Sequence, residues 1–168
     1  MAEPEAFRLE ERAGLCHVNV RGSPANEAFL AAARSTLGLA LPVAANTVSE
    51  GGDRVAYWLG PDEWLVVGPA SDRTSLAKQM NDAFSGLHAA ATEVSGGQAV
   101  LVLAGPGAVD ALASDCPLDL HPRKFAPGAC AQTRFGKAAV LLRPVAGGFE
   151  LLLRRSFAAY VRAKLDRG

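Results

Sequence analysis

Cysteine is scarce in this sequence, with three residues in 168, at positions 16, 116 and 130. The number is odd and no pair stands as Cys-x-x-Cys, so neither a disulfide framework nor a zinc ribbon is indicated, and a reducing cytoplasmic setting is expected. Net charge is missing as well. Seventeen Lys and Arg balance seventeen Asp and Glu, which leaves no overall field to hold a polyanion, and no Lys/Arg stripe restores one. Nucleic acid and anionic membrane are therefore not expected partners. The first thirteen residues carry Glu3, Glu5, Arg8, Glu10, Glu11 and Arg12 where a signal peptide would carry an apolar stretch. Long hydrophobic runs are lacking too: Ala99 to Ala104 and Ala138 to Leu142 have strand length, far short of a membrane span. No Gly-x-Ser-x-Gly occurs, and Gly105-Pro-Gly107 has neither the Gly-x-Gly-x-x-Gly spacing nor the Lys of a phosphate loop.

What the sequence does contain is a plan stated twice. Leu15 to Val20 alternates as a strand and ends at Arg21-Gly-Ser-Pro24, where Ser23 is placed to cap a helix and Pro24 to sit in its first turn. Phe29, Leu30, Ala33 and Leu37 then recur at helical spacing up to Gly38, a helix stop. An irregular Leu39-Ala-Leu-Pro42 passage leads to a short strand at Thr47 to Ser49. A hairpin follows, with arms Arg54 to Leu59 and Trp64 to Val67 joined by Gly60-Pro-Asp-Glu63. A helix capped by Ser71 or Asp72, with Leu76, Met80 and Phe84 on one face, completes the first half.

The second half runs the same way. Strands at Thr92 to Val94 and Ala99 to Leu103 precede a helix opened by Gly105-Pro-Gly107, then an irregular Leu118-Asp-Leu-His-Pro122 passage. Strands at Ala129 to Phe135, Ala138 to Leu142 and Phe149 to Leu153 follow. Ser156 is read as the cap of a last helix with Phe157, Val161 and Leu165 inward. Gly22 aligns with Gly105, Leu39 with Leu118 and Glu63 with Glu150, an offset of about 80 to 87 residues. The expected fold is α+β: an N-terminal tail (1–14), then one domain (15–168) of two strand-helix-strand-strand-strand-helix halves, about 15–88 and 89–168.

Candidate chemistry is thin. Cys116, His121 and Cys130 are the only clustered Cys and His, but they offer three ligands without a close chelating pair, and buried cysteines beside a hydrogen-bonded histidine fit them better than zinc. Trp58 and Trp64 flank the hairpin turn and are expected in the core. Asp62 and Glu63 belong to a solvated turn. The stretch that stands out is Cys116 to Phe135. Three prolines stiffen it and restrict the residues before them, so it should follow one path with no regular structure of its own. Ordered loops of this length are commonly binding surfaces. With 49% hydrophobic residues, the chain has apolar surface to bury against a partner. The expected docking residues are Leu118, Leu120, His121, Phe125, Cys130, Gln132 and Thr133.

Five segments together carry a family resemblance: Leu59-Gly-Pro-Asp-Glu-Trp-Leu65, Leu103-Ala-Gly-Pro106, Cys116-Pro-Leu-Asp-Leu-His121, Phe125-x-Pro-Gly-x-Cys-Ala-Gln-Thr133 and Arg155-Ser-Phe-Ala-x-Tyr160. Over nearly its whole length the chain resembles the gamma subunit of heterotetrameric sarcosine oxidase. The resemblance implies a fold related to the folate-binding domain of the glycine cleavage T-protein, and a cytoplasmic complex with alpha, beta and delta subunits. That complex oxidises sarcosine to glycine and passes the one-carbon unit to tetrahydrofolate, with FAD, FMN, NAD and zinc on the other subunits. It implies no catalytic, cofactor or metal residue here. Against some folate-binding relatives, Gly128-Ala-Cys-Ala-Gln132 is a shortened echo of a longer motif, and Glu93 stands where an Asp-x-Ser stretch has Asp. Both departures speak against the alternative, a stand-alone folate-dependent enzyme or folate-binding module. A flavin carrier is a third reading.

Overall fold

The computed structural model describes residues 6–166. The chain divides into two units, one of Gly14–Ser95, the other joining the residues up to Ala13 to those from Gly96 onward.

In the first unit, β2 (Cys16–Arg21), β3 (Val48–Gly51), β4 (Arg54–Gly60), β5 (Glu63–Gly68) and β6 (Ala90–Glu93) form an antiparallel sheet in the order β3-β4-β5-β2-β6. Two helices, α1 (Glu27–Leu37) and α2 (Leu76–Ala83), cover one face. The register Val18 opposite Val66 and Val20 opposite Trp64 turns Cys16, Val18, Val20, Trp64 and Val66 towards the helices. They meet Phe29, Ala33 and Leu37 of α1 and Leu76 and Met80 of α2, spaced four apart as a helix face requires. Phe29 is the centre of this core, with its ring 5.6 Å from Trp64 and 5.2 Å from Phe84. Gly22 makes room for it, since a Cβ there would lie 2.5 Å from the Phe29 ring.

Local chemistry sets the helix ends. The Asn26 side chain accepts from the backbone N–H of Ala28 and Phe29, Glu27 and Arg34 suit the helix dipole, and Gly38, at φ 74°, closes α1 by donating to Arg34. The cap is thus Asn26 and not Ser23, because the Ser23 hydroxyl is taken by the Ala25 N–H in a tight turn before the helix. Likewise neither Ser71 nor Asp72 caps α2. A 3-10 turn, Ala70–Thr74, intervenes, and the Asp72 carboxylate is held by Arg54. That guanidinium also donates to the carbonyl of Leu37, satisfying the C-terminal end of α1. Trp64 donates its indole N–H to the carbonyl of Pro42 at 2.7 Å, which ties down the irregular passage carrying buried Leu39 and Leu41.

The second unit repeats this topology. β7 (Gln98–Ala104), β8 (Ala131–Phe135), β9 (Ala138–Val145) and β10 (Gly148–Arg154) lie in the order β7-β10-β9-β8, with α3 (Ala108–Ala113) and α4 (Ala158–Leu165) on one face. Leu101, Leu103, Val140, Leu142, Phe149, Leu151 and Leu153 point to the helices. Val161 and Leu165 of α4 are inward as expected; Phe157 is exposed. No side chain caps the 3-10 turn Arg155–Phe157 that precedes α4, so this extra turn swings Phe157 outward to meet Tyr160 edge-on.

The fifth strand of each sheet is exchanged. β1 (Arg8–Glu11) runs directly towards β2 but pairs with β7, while β6 runs directly towards β7 but pairs with β2. Residues 8–11, assigned from the sequence to a tail, are therefore a sheet strand; residues 1–5 lie outside the described residues. Leu9, opposite Leu103, packs on the core, and the Arg12 guanidinium reaches the buried Glu150 carboxylate at 2.7 Å, which Arg143 also holds at 2.9 Å.

Candidate partner-docking surface

The 116–135 segment leaves α3 through Cys116, whose N–H returns to the carbonyl of Leu112, and reaches β8 without a helix or strand of its own up to Cys130. Its path is fixed by hydrogen bonds over short distances. The Asp119 carboxylate accepts from the His121 N–H at 3.0 Å, and His121 Nδ1 accepts from the Arg123 N–H at 3.2 Å. The His121 carbonyl accepts from both Lys124 and Phe125. At the base of the loop the Lys164 ammonium of α4 pairs with Asp115.

The expected docking residues divide into two sets. Leu120, Phe125 and Cys130 are buried in the chain's own interior, and Leu120 and Phe125 belong to the core cluster of the second unit. Phe125 stacks on Phe149 with centroids 6.4 Å apart and planes 8° from parallel. Their reading as docking side chains is corrected: three apolar groups on a loop of this length find their burial inside the fold and hold it down. His121 and Gln132 are exposed, and Leu118 and Thr133 are half-buried, with Thr133 Oγ1 3.9 Å from Cys116 Sγ. What the loop offers outward is its tip, His121-Pro-Arg-Lys124, all four residues exposed. Sequence reasoning did not single out Arg123 or Lys124. The available signal was the absence of any acid between Asp119 and Glu150, which the neutral total conceals.

Among the described residues no three or more His, Cys, Asp and Glu side chains group as metal ligands. Cys16, Cys116 and Cys130 are buried and in no disulfide, and burial pushes the Cys16 thiol up, keeping it protonated and unreactive. Glu93 has a local role. Its carboxylate accepts the Ser95 N–H at 3.0 Å, hydrogen bonds from Ser95 hold it below the usual carboxylate range, and the Ser95 hydroxyl accepts from the His17 N–H. A cleft of about 540 Å³ in the first unit, walled by Pro24, Pro61, Ala89 and Ala90, has His88 and Arg21 at its edge. Arg21 there is already paired with Asp62 and Glu63.

The fold of two α+β units is one that solved structures share. It is similar to the glycine cleavage system aminomethyltransferase T from Bartonella henselae, with a TM-score of 0.68 over 95% of this chain and 45% of that one at 17% identity. The chain belongs to the sarcosine oxidase gamma subunit family, whose model matches residues 21–167. The chain is 37% identical to the sarcosine oxidase subunit gamma of Arthrobacter sp. over 140 residues, which is 82% of this chain and 66% of that relative's length. It is also similar to a chain of the heterotetrameric sarcosine oxidase from Corynebacterium sp. U-96, with a TM-score of 0.87 over 98% of this chain and 85% of that one at 30% identity. Among the described residues no helix is long and apolar enough to cross a membrane.

Proposed function

We propose that this chain is a non-catalytic subunit of a cytoplasmic sarcosine oxidase, assembled with alpha, beta and delta subunits that carry FAD, FMN, NAD and zinc. The complex oxidises sarcosine to glycine and delivers the one-carbon unit to tetrahydrofolate; this chain contributes a docking surface. The observation that carries the reading is the whole-length likeness, over 98% of this chain, to a chain of a heterotetrameric sarcosine oxidase. A rigid exposed loop tip on a chain whose cysteines are all buried fits a scaffold better than a nucleophile.

The test is co-expression with the neighbouring reading frames, followed by size-exclusion chromatography and oxygen uptake on sarcosine. Co-elution with the larger subunits is the expected result. A chain that elutes alone while the remaining subunits oxidise sarcosine at the full rate would sink the reading. The likeness of the fold to an aminomethyltransferase keeps one rival, a folate-binding module. Calorimetry of the isolated chain with tetrahydrofolate separates them, because saturable binding supports the module and no heat of binding supports the subunit.

A further inference from the structure

The neutral total hides a separation of charge. Gly14–Ser95 holds five Lys/Arg against eight Asp/Glu, a net of −3, while the described residues of the other unit hold eleven against seven, a net of +4. Several cations are matched within the chain: Arg12 and Arg143 to Glu150, Arg54 to Asp72, Lys78 to Asp82, Arg162 to Glu11 and Lys164 to Asp115. Arg123 and Lys124, like Arg134, Lys137 and Arg154 of the same unit, are in none of these ion pairs, and they alone stand adjacent on an exposed loop tip, where the nearest acid in sequence, Asp119, is turned back to the His121 N–H. These two cations sit at the tip of a segment held at its base by buried Leu120, Phe125 and Cys130 and stiffened by Pro117, Pro122 and Pro127.

We infer that the tip His121-Pro-Arg-Lys124 docks into an acidic recess on one of the partner polypeptides. The inference rests on the subunit reading and gives the partner's surface its chemistry. The basic unit supplies long-range attraction that orients the approaching chain. The tip supplies the contact, already in its bound geometry, so little conformational freedom is lost on docking. Two cations on a short, convex loop suit a carboxylate recess. They do not make the extended track of positive charge that a nucleic-acid backbone needs. The exposed prolines and alanine around them, Pro117, Pro122, Ala126 and Pro127, give an apolar collar against which a protein surface can close.

The experiment measures association of the separately purified chain with the complex of its other subunits, as a function of salt. Three forms are compared: wild type, the double variant R123E/K124E, and a control, R34E/K78E, with the same change in net charge on exposed residues of the other unit. The expected result is a rate at least 10-fold slower at low salt for R123E/K124E, converging with wild type as salt screens the charges, with near-wild-type rates for the control. Thermal midpoints of wild type and R123E/K124E should agree, since both substituted side chains are exposed; the control gives up the exposed Lys78–Asp82 pair and a favourable charge at the end of α1, so all rates are read well below its own midpoint. Equal rates for wild type and R123E/K124E would overturn the inference and leave the subunit reading standing. Equal slowing by the control would overturn it too, by reducing the effect to net charge. Binding of wild type, but not R123E/K124E, to phosphatidylserine vesicles or an oligonucleotide, with unchanged subunit association, would replace the partner. A wild-type chain that does not associate at all removes both.

Discussion

Replacing Phe125 by alanine tests whether the loop is anchored from inside. The ring is 6% exposed and stacked on Phe149 with centroids 6.4 Å apart, near the long end of aromatic contact. Truncating a buried phenylalanine costs about 3–5 kcal/mol. The lower end applies here, since a loop with exposed neighbours on both sides can partly collapse into the space. In a chain of this size each kcal/mol moves the melting midpoint by about 2–4 °C, so a loss of about 3 kcal/mol lowers it by about 6–12 °C.

The measurement is a thermal melt followed by circular dichroism, with two companions. Phe125→Leu keeps most of the apolar volume and should lose roughly 1 kcal/mol. Lys124→Ala removes the exposed side chain of the preceding residue and should stay within about 0.5 kcal/mol of wild type. The three values together separate anchor from tip. A Phe125→Ala midpoint within a degree or two of wild type would refute the reasoning, because the loop would then owe nothing to its burial.

Arg54→Met should destabilise by about 2–3 kcal/mol in urea titrations, because it leaves the Asp72 carboxylate, 11% exposed, without its two-point partner and opens the end of α1. Adding Asp72→Asn should recover part of that loss. Glu93→Gln carries a pH signature: hydrogen bonds from Ser95 depress the native carboxyl, so its stabilisation is present at neutral pH and lost as pH falls through the native value. The stability gap between variant and wild type, followed by denaturant titration across pH, should therefore close in acid. A gap that widens in acid would reverse the sign. Ellman's reagent should find no reactive thiol in the native chain and three after denaturation. Stability should also decline as pH rises through the ordinary thiol range, where the unfolded Cys16 ionises before the buried one.

The repeated plan was legible because its signals are local. Phe29, Ala33 and Leu37 with Gly38, the hairpin turn after β4, and the Leu-x-Leu passages each declare themselves within a few residues. The exchange of β1 and β6 was not, because strand pairing is a non-local choice. Arg8-Leu-Glu-Glu11 has one apolar residue in four, and only its meeting with Leu103 makes a strand of it. Caps failed where two polar residues competed: Ser23 and Asn26 are both good caps, and the turn that consumed the Ser23 hydroxyl decided between them. In the loop, proline content announced rigidity correctly. Apolar residues announced only that they would be buried, and whether inside the chain or against another is settled by what lies beneath, here Phe149.

The exchanged strands have a consequence for the integrity of the chain. A protease site engineered between Gly96 and Gly97, both exposed, would cut between the units, yet the N-terminal fragment would still hold β1 and the C-terminal fragment β7. Leu9 stays packed on the core, Arg12 stays on Glu150, and Glu11 stays on Arg162. Withdrawing β1 would expose the edge of β7 and leave Glu150, 3% exposed, without one of its two cations. The nicked chain should therefore elute as one species in size-exclusion chromatography under native conditions and separate into two fragments in denaturant. Two native peaks would mean that β1 contributes little to the second sheet, and that each half is held together by its contiguous residues alone.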